Sequence, residues 1–112
     1  MILEPVIETG SVVSDRVVFT HQPHGEPTGI ITGYLDDHCR FVVEHVIALK
    51  PGALMPLLHA GIDEAQAIGC LAIVFGIPDA QPTARGLMLA ALRVDCVVYD
   101  HHDGITYYER RL

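Results

Sequence analysis

Lysine is almost missing: Lys50 is the only one in 112 residues, and the formal charge is −7. A chain with that balance repels phosphate backbones and anionic headgroups, so neither nucleic acid nor a membrane surface is an expected partner. Cysteine is scarce and unpaired in pattern. Cys39, Cys70 and Cys96 are odd in number, widely spaced and form no CxxC. They read as free thiols of a reducing compartment and, lying in or beside apolar runs, as small core residues. No apolar run reaches the ~18 residues of a membrane span. Met1 to Gly10 carries Glu4 and Glu8 but no basic stretch of the kind that opens a secretory leader. These absences predict a cytoplasmic protein. No linker, repeat or low-complexity segment divides the chain, so a single domain over residues 1–112 is expected.

What is abundant is apolar surface. Half of the residues are hydrophobic and the mean hydropathy is positive. About two-thirds of the unfolded surface of such a chain can be buried on folding, enough for a core without disulfides or a metal. The excess predicts an apolar patch covered by a second copy, hence a homo-oligomer.

Val12 to Thr20 is rich in β-branched residues and reads as a strand, ended by Gln22-Pro-His-Gly-Glu-Pro27. Thr28 to Leu35 is a second strand, in which Gly29 and Gly33 signal a bulge or a close neighbour. Asp36-Asp37-His38 is a turn and Arg40 to Leu49 a third strand. After Lys50-Pro-Gly52 the period changes: Leu54, Leu57, Leu58, Ile62, Ala65 and Ile68 recur at helical spacing, with Pro56 in the first turn and Gly69 as the C-cap. Leu71 to Ile77 reads as a strand buried on both faces. A second helix from about Pro82 to Arg93 places Ala84, Leu87, Ala91 and Leu92 on one stripe. Asp95 to Tyr99 and Ile105 to Arg111 are strands flanking the turn Asp100-His-His-Asp-Gly104. The predicted fold is α/β (α+β), a mixed and mostly antiparallel sheet with element order β-β-β-α-β-α-β-β. The strand–helix–strand run implies one parallel pair.

Seven histidines invite a metal. His21 and His24, and His101, His102 and Asp103, fall in predicted turns, while His45 and His59 stand apart. Zinc needs three or four ligands in tetrahedral array, and no CxxC or HExxH spacing supplies them. The turn histidines and the Asp36-Asp37 and Asp100–Asp103 carboxylates therefore read as solvated, with no metal site.

The segments Phe41 to Gly52, Gly69 to Gly76, and Gln81-Pro-Thr-Ala-Arg-Gly-Leu-Met88, in that order around the first helix, resemble the core of the GNAT superfamily of N-acetyltransferases. The resemblance spans about residues 28–112. Its sharpest piece is Pro82, Ala84 and Leu87, where family members read Asn-Pro-x-Ala-x-x-Leu-Tyr. It implies two central strands that splay around acyl-CoA, with the pyrophosphate on amides at a helix N-terminus, where dipole and unpaired N–H groups favour an anion. It places cofactor-binding residues at Val46, Ile47, Gly52, Ala53, Leu54, Gln81 and Arg85, and a catalytic base at Glu44, which would deprotonate a small amine before attack on acetyl-CoA. The alternative is that Glu44 is a solvent-facing strand residue with no such role. Alternation over Val42, Glu44 and Val46, which gives it apolar neighbours, argues mildly against that.

Three departures accompany the likeness. The cofactor loop is short and has one glycine where the family has two. Met88 replaces the tyrosine that protonates the leaving thiolate. Residues 1–12 leave no room for the N-terminal helices of the acceptor site. Two functions follow: an acyl-CoA-dependent N-acyltransferase-type domain with a degenerate site, or a non-catalytic GNAT-like binding or assembly module.

Overall fold

Strands dominate. The computed structural model describes residues 2–7 and 15–112, in the order β1 (Ile2–Ile7), β2 (Asp15–His21), β3 (Gly29–Leu35), β4 (Arg40–Ala48), α1 (Leu54–Ala67), β5 (Ala72–Pro78), α2 (Ala84–Arg93), β6 (Val97–His102) and β7 (Ile105–Arg111). From β2 onward this is the expected order, and β1 is added ahead of it. The start of the expected first strand, Val12 to Ser14, lies outside the described residues. One sheet runs β1-β2-β3-β4-β5-β7-β6. Only β4 and β5 pair in parallel among the described strands.

Period-two alternation assigns the core. Register places Val17 and Phe19 of β2, Ile31 of β3, Phe41 and Val43 of β4, Ile73 and Phe75 of β5, and Tyr108 of β7 on one face. Both helices pack on it, α1 through Leu57, Leu58, Ile62 and Ala65, and α2 through Ala90 and Ala91, in one buried cluster. Side chains such as Phe19, Leu57 and Ile73, fully out of water, contribute about 1.5–3 kcal/mol each. The helix lies close because the sheet and helix each offer a glycine there. A Cβ on Gly29 would come within 2.5 Å of Leu57, and one on Gly61 within 2.6 Å of Ile31. The opposite face carries no helix among the described residues.

Both helices end in the same way. The Cys70 N–H donates to the Ala65 carbonyl (3.0 Å) and the Gly69 N–H to Gln66 (3.1 Å), with Gly69 at φ +87°. That is a Schellman end with the expected glycine. α2 repeats it through Cys96 N–H to Ala91 O (3.1 Å) and Asp95 N–H to Leu92 O (3.2 Å), with Asp95 at φ +64°. Asp95 is thus the helix stop rather than a strand residue.

Two other expectations shift. Asp100 to His102 belong to β6, and only Asp103-Gly104, both at positive φ, make the turn, as a two-residue hairpin of right-handed twist requires. Leu92 is 46% exposed rather than buried, because α2 meets the sheet through Ala90 and Ala91. The cysteines divide: Cys96 is buried, Cys70 half-buried and Cys39 exposed.

Candidate functional site

β4 and β5 run together for four residues and then part. Their register begins at Arg40↔Ala72 and stops at Val43↔Phe75. Past that rung β4 continues to Ala48 bonded only to β3, and β5 to Pro78 bonded only to β7. A cavity of about 110 Å³ fills the fork, several times the ~10–15 Å³ that one water needs. Its lining is largely apolar, from Val43, Val46, Ile47, Leu58, Phe75, Ile77, Leu87 and Ala91, with Glu44, His45 and Gln81 as the polar members.

The fork has a local cause. Thr32 pairs with His45 but the next rung joins Gly33 to Val43, so Glu44 is an extra residue in β4. Such a bulge bends its strand and increases the twist. Gly33 is needed opposite it, since a Cβ there would strike the Val42 carbonyl oxygen and the Phe41 ring. The bulge also breaks the alternation expected over Val42, Glu44 and Val46. Val46 pairs with buried Ile31 on the helix-covered face, whereas Glu44 and His45, consecutive in the chain, both stand on the helix-free face.

Two contacts fix them. Glu44 Oε1 accepts from and is ion-paired with Arg16 Nη1 of β2, both partly exposed, an arrangement worth about 0–1 kcal/mol to stability. Nδ1 of His45 lies 3.1 Å from Thr32 Oγ1. His45 was not singled out from the sequence, where it was one unplaced histidine. Its signal was adjacency to Glu44, which regular alternation would have sent to the opposite face.

α1 begins shortly after the free end of β4. Gly52 (φ +76°) turns the chain and Ala53 is the N-cap. The Leu57 N–H bonds back to the Ala53 carbonyl at 3.0 Å and Pro56 has no N–H, so Leu54 and Met55 supply the amides that precede the intrahelical ladder. No acidic residue occupies this first turn. Nearby Lys50 is ion-paired with Glu26 at 2.7 Å. Gly52, Ala53 and Leu54 sit at this tip, outside the lining of the fork.

Of the other residues anticipated for cofactor contact, Val46, Ile47 and Gln81 line the fork, while Arg85 does not. Arg85 borders a groove on the other flank of α2 with Asp79, Met88, Thr106 and Tyr108. Met88 also faces that groove. The α2 side chains turned to the fork are Leu87 and Ala91, neither of which donates a proton.

At the C-terminal end of β5, Asp79 fastens the β6–β7 hairpin. It accepts from Thr106 Oγ1 (2.7 Å) and lies 2.6 Å from His101 Nε2. The Thr106 hydrogen bond, then the His101 one, hold its carboxyl below the usual range. Among the described residues no group of three or more His, Cys, Asp or Glu is placed to hold a metal ion. No helix among them is long and apolar enough to cross a membrane.

No protein-family model matches the chain, and no curated protein matches it by sequence. Solved structures do match in shape. A GNAT family acetyltransferase from Elizabethkingia anophelis with acetyl-CoA bound superposes with a TM-score of 0.69 at 11% identity, over 99% of this chain and 97% of that one. An IAA acetyltransferase from Bacillus cereus ATCC 14579 gives 0.68 at 8% identity, over 88% and 78%. A Bacillus subtilis acetyltransferase in complex with CoA gives 0.66 at 11%, over 88% and 77%. With the forked parallel pair, the added helix tip and this agreement over nearly the whole chain, the protein has the GNAT acetyltransferase fold.

Proposed function

We propose that the fork between β4 and β5 binds acyl-CoA and that the chain transfers the acyl group to a small amine. The observation that carries the reading is the end of pairing at Val43↔Phe75. The strand edges beyond it face one another without a partner strand, and buried backbone groups need hydrogen bonds. An amide-bearing thin chain such as the pantetheine arm can satisfy them at Val46 and Ile47 while its methylenes meet Leu58, Leu87 and Ala91. The diphosphate would reach the Leu54 and Met55 amides at the α1 tip, beside Gly52 and Ala53, where the helix dipole adds to the attraction. Gln81 would hold the arm from the α2 side, whereas Arg85, expected there from the resemblance, borders the groove on the other flank of α2 and is left out of the proposed site.

Glu44, which the bulge sets at the wall, is a candidate base for the amine. Its pairing with Arg16 and the lack of a donor on the fork-facing side of α2 favour a second reading, in which the fork binds CoA without turnover. A thermal-shift titration with acetyl-CoA tests both. A ligand at a hundred times its Kd stabilises by about 2.7 kcal/mol, so a clear rise in Tm is expected. No rise at millimolar acetyl-CoA would end both CoA readings, and a rise without thiol release would leave the binding module.

The same reading includes a homo-oligomer in the cytoplasm. Val97, Val98 and Tyr99 of edge strand β6 are exposed, at 63%, 56% and 43%, and Leu89 and Leu92 of α2 at 46% each. Exposed apolar clusters of this kind mark interfaces. Light scattering giving only a 12.2 kDa species at high concentration would remove the oligomer.

A further inference from the structure

We infer that His45 carries the proton of the transfer step, taking it from the attacking amine and returning it to the departing sulfur. This deepens the acyltransferase reading and rests on it. The bulge places two ionisable side chains at the fork, and they are not equivalent. The Glu44 carboxylate is already engaged, its Oε1 taken up by the hydrogen bond and ion pair with the Arg16 guanidinium of β2. Among the described residues His45 has no charged partner of its own. One ring nitrogen is engaged by Thr32, which leaves Nε2 for a substrate.

The Thr32 hydroxyl can accept from Nδ1–H, and that tautomer puts the lone pair on Nε2. Since Thr32 and Arg16 stand on the helix-free face, so does the imidazole, and an amine arriving from that side meets no helix of the described chain. On the other wall α2 offers Leu87 and Ala91, so nothing there returns a proton to sulfur. One imidazole can serve both needs because it is a base when neutral and an acid once protonated.

The step balances without any further reactant. The amine lone pair forms the C–N bond to the thioester carbonyl carbon while His45 Nε2 takes a proton from that nitrogen. The C–S bond then breaks, its electron pair goes to sulfur, and the imidazolium N–H supplies the proton that makes the free thiol. The products are an amide and CoA, and His45 is neutral again. Among the described residues the charged neighbours are Glu44 on the same strand and Arg16 on β2, which pair with each other. β3 presents Thr32 and the Tyr34 phenol, β5 presents Gly76, and β7 lays the ring of Tyr107 over Gly76, 3.1 Å from where a Cβ would stand.

The test compares wild type, His45→Gln and Thr32→Val, using acetyl-CoA with putrescine, tyramine and glycinamide as acceptor probes. Thermal shift by acetyl-CoA reports the fork, thiol release reports turnover, and carbethoxylation of His45 read by mass spectrometry reports access to the imidazole. The expected result is an equal acetyl-CoA shift in all three proteins and protection of His45 by acetyl-CoA. His45→Gln should lose about 10²–10⁴-fold in kcat, keep its KM for acetyl-CoA, and lose the acid limb of the wild-type pH profile. Thr32→Val should retain the limb with a smaller loss. An unchanged kcat or a persisting limb in His45→Gln overturns the inference and leaves the reading of the fork intact. Absence of any acetyl-CoA shift in wild type overturns that reading and the inference together. Binding without thiol release from wild type overturns the transfer reading and the inference with it, and leaves a fork that binds CoA.

Discussion

Val43 and Phe75 form the last rung joining β4 to β5, and both side chains lie in the core at 3% and 5% exposure. The fork therefore opens from a rigid hinge. Its width is set by packing beneath it, where Leu58 and Leu87 reach in from the two helices. Replacing half-buried Leu87 by Trp should fill the fork from the α2 side with little cost to the core. The expected outcome is a variant with native far-UV dichroism whose Tm no longer rises with acetyl-CoA, while wild type rises by several degrees. A full shift in Leu87→Trp would mean that the ligand binds elsewhere.

Much of this arrangement was legible from periodicity. α1, β5 and the parallel pair follow from Leu57, Leu58, Ile62 and Ala65 at helical spacing and from the apolar run Leu71 to Ile77. β1 escaped because Pro5 interrupts a short apolar segment, and proline argues against a strand unless that strand is at a sheet edge. β1 is at the edge, pairing only with β2 among the described strands. β6 was cut short at Tyr99 because Asp100-His-His reads as turn composition, yet an exposed edge strand tolerates polar residues on both faces. The bulge at Glu44 left no compositional trace on β4. Its one hint was Gly33 on the neighbouring strand, and without the bulge His45 could not be placed beside Glu44.

Gly33 and Gly61 should respond differently to alanine. At Gly33 the new methyl meets backbone, the Val42 carbonyl, which yields only by dismantling the bulge. Gly33→Ala is expected to cost roughly 2 kcal/mol or more, in the range of overpacking. At Gly61 the obstacle is the end of the Ile31 side chain, and alanine gains about 1 kcal/mol of helix propensity. Gly61→Ala should stay within about 1 kcal/mol of wild type. Urea midpoints would decide, and equal losses at the two sites would count against the bulge as the constraint.

Asp36 holds the β3–β4 turn. Its Oδ1 accepts from the backbone N–H groups of His38 and Arg40 at 2.9 Å each, and its Oδ2 from Arg40 Nε at 2.7 Å. Burial pushes the carboxyl up, but these donors, with Arg40 foremost, bring it below the usual range. A depressed carboxylate stabilises the fold above the unfolded value of about 3.9, and the contribution is lost as pH falls through the lower folded value. Asp36→Ala should cost about 1.5–3 kcal/mol at pH 6, the range for hydrogen bonds to a charged group. The gap from wild type should narrow below about pH 4. A gap that stays constant from pH 6 to pH 3 would show that the charge is irrelevant to the turn.

Cys96 offers a reporter for the end of α2. Burial pushes its thiol up to about 11, so at pH 8 only about one molecule in a thousand carries the reactive thiolate. Its N–H also closes the helix on the Ala91 carbonyl, which ties exposure of the sulfur to opening of that cap. Cys39 is exposed, and Cys70 is half-buried with its thiol raised by burial first and by the nearby Cys39 second. Iodoacetamide labelling followed by mass spectrometry should therefore modify Cys39 first, Cys70 next and Cys96 last. Mild urea should accelerate Cys96 most, because its labelling then tracks local opening of the helix end. Equal labelling of Cys96 and Cys39 in native protein would mean that α2 is not held by this cap, and with it the wall that Leu87 and Ala91 give to the fork.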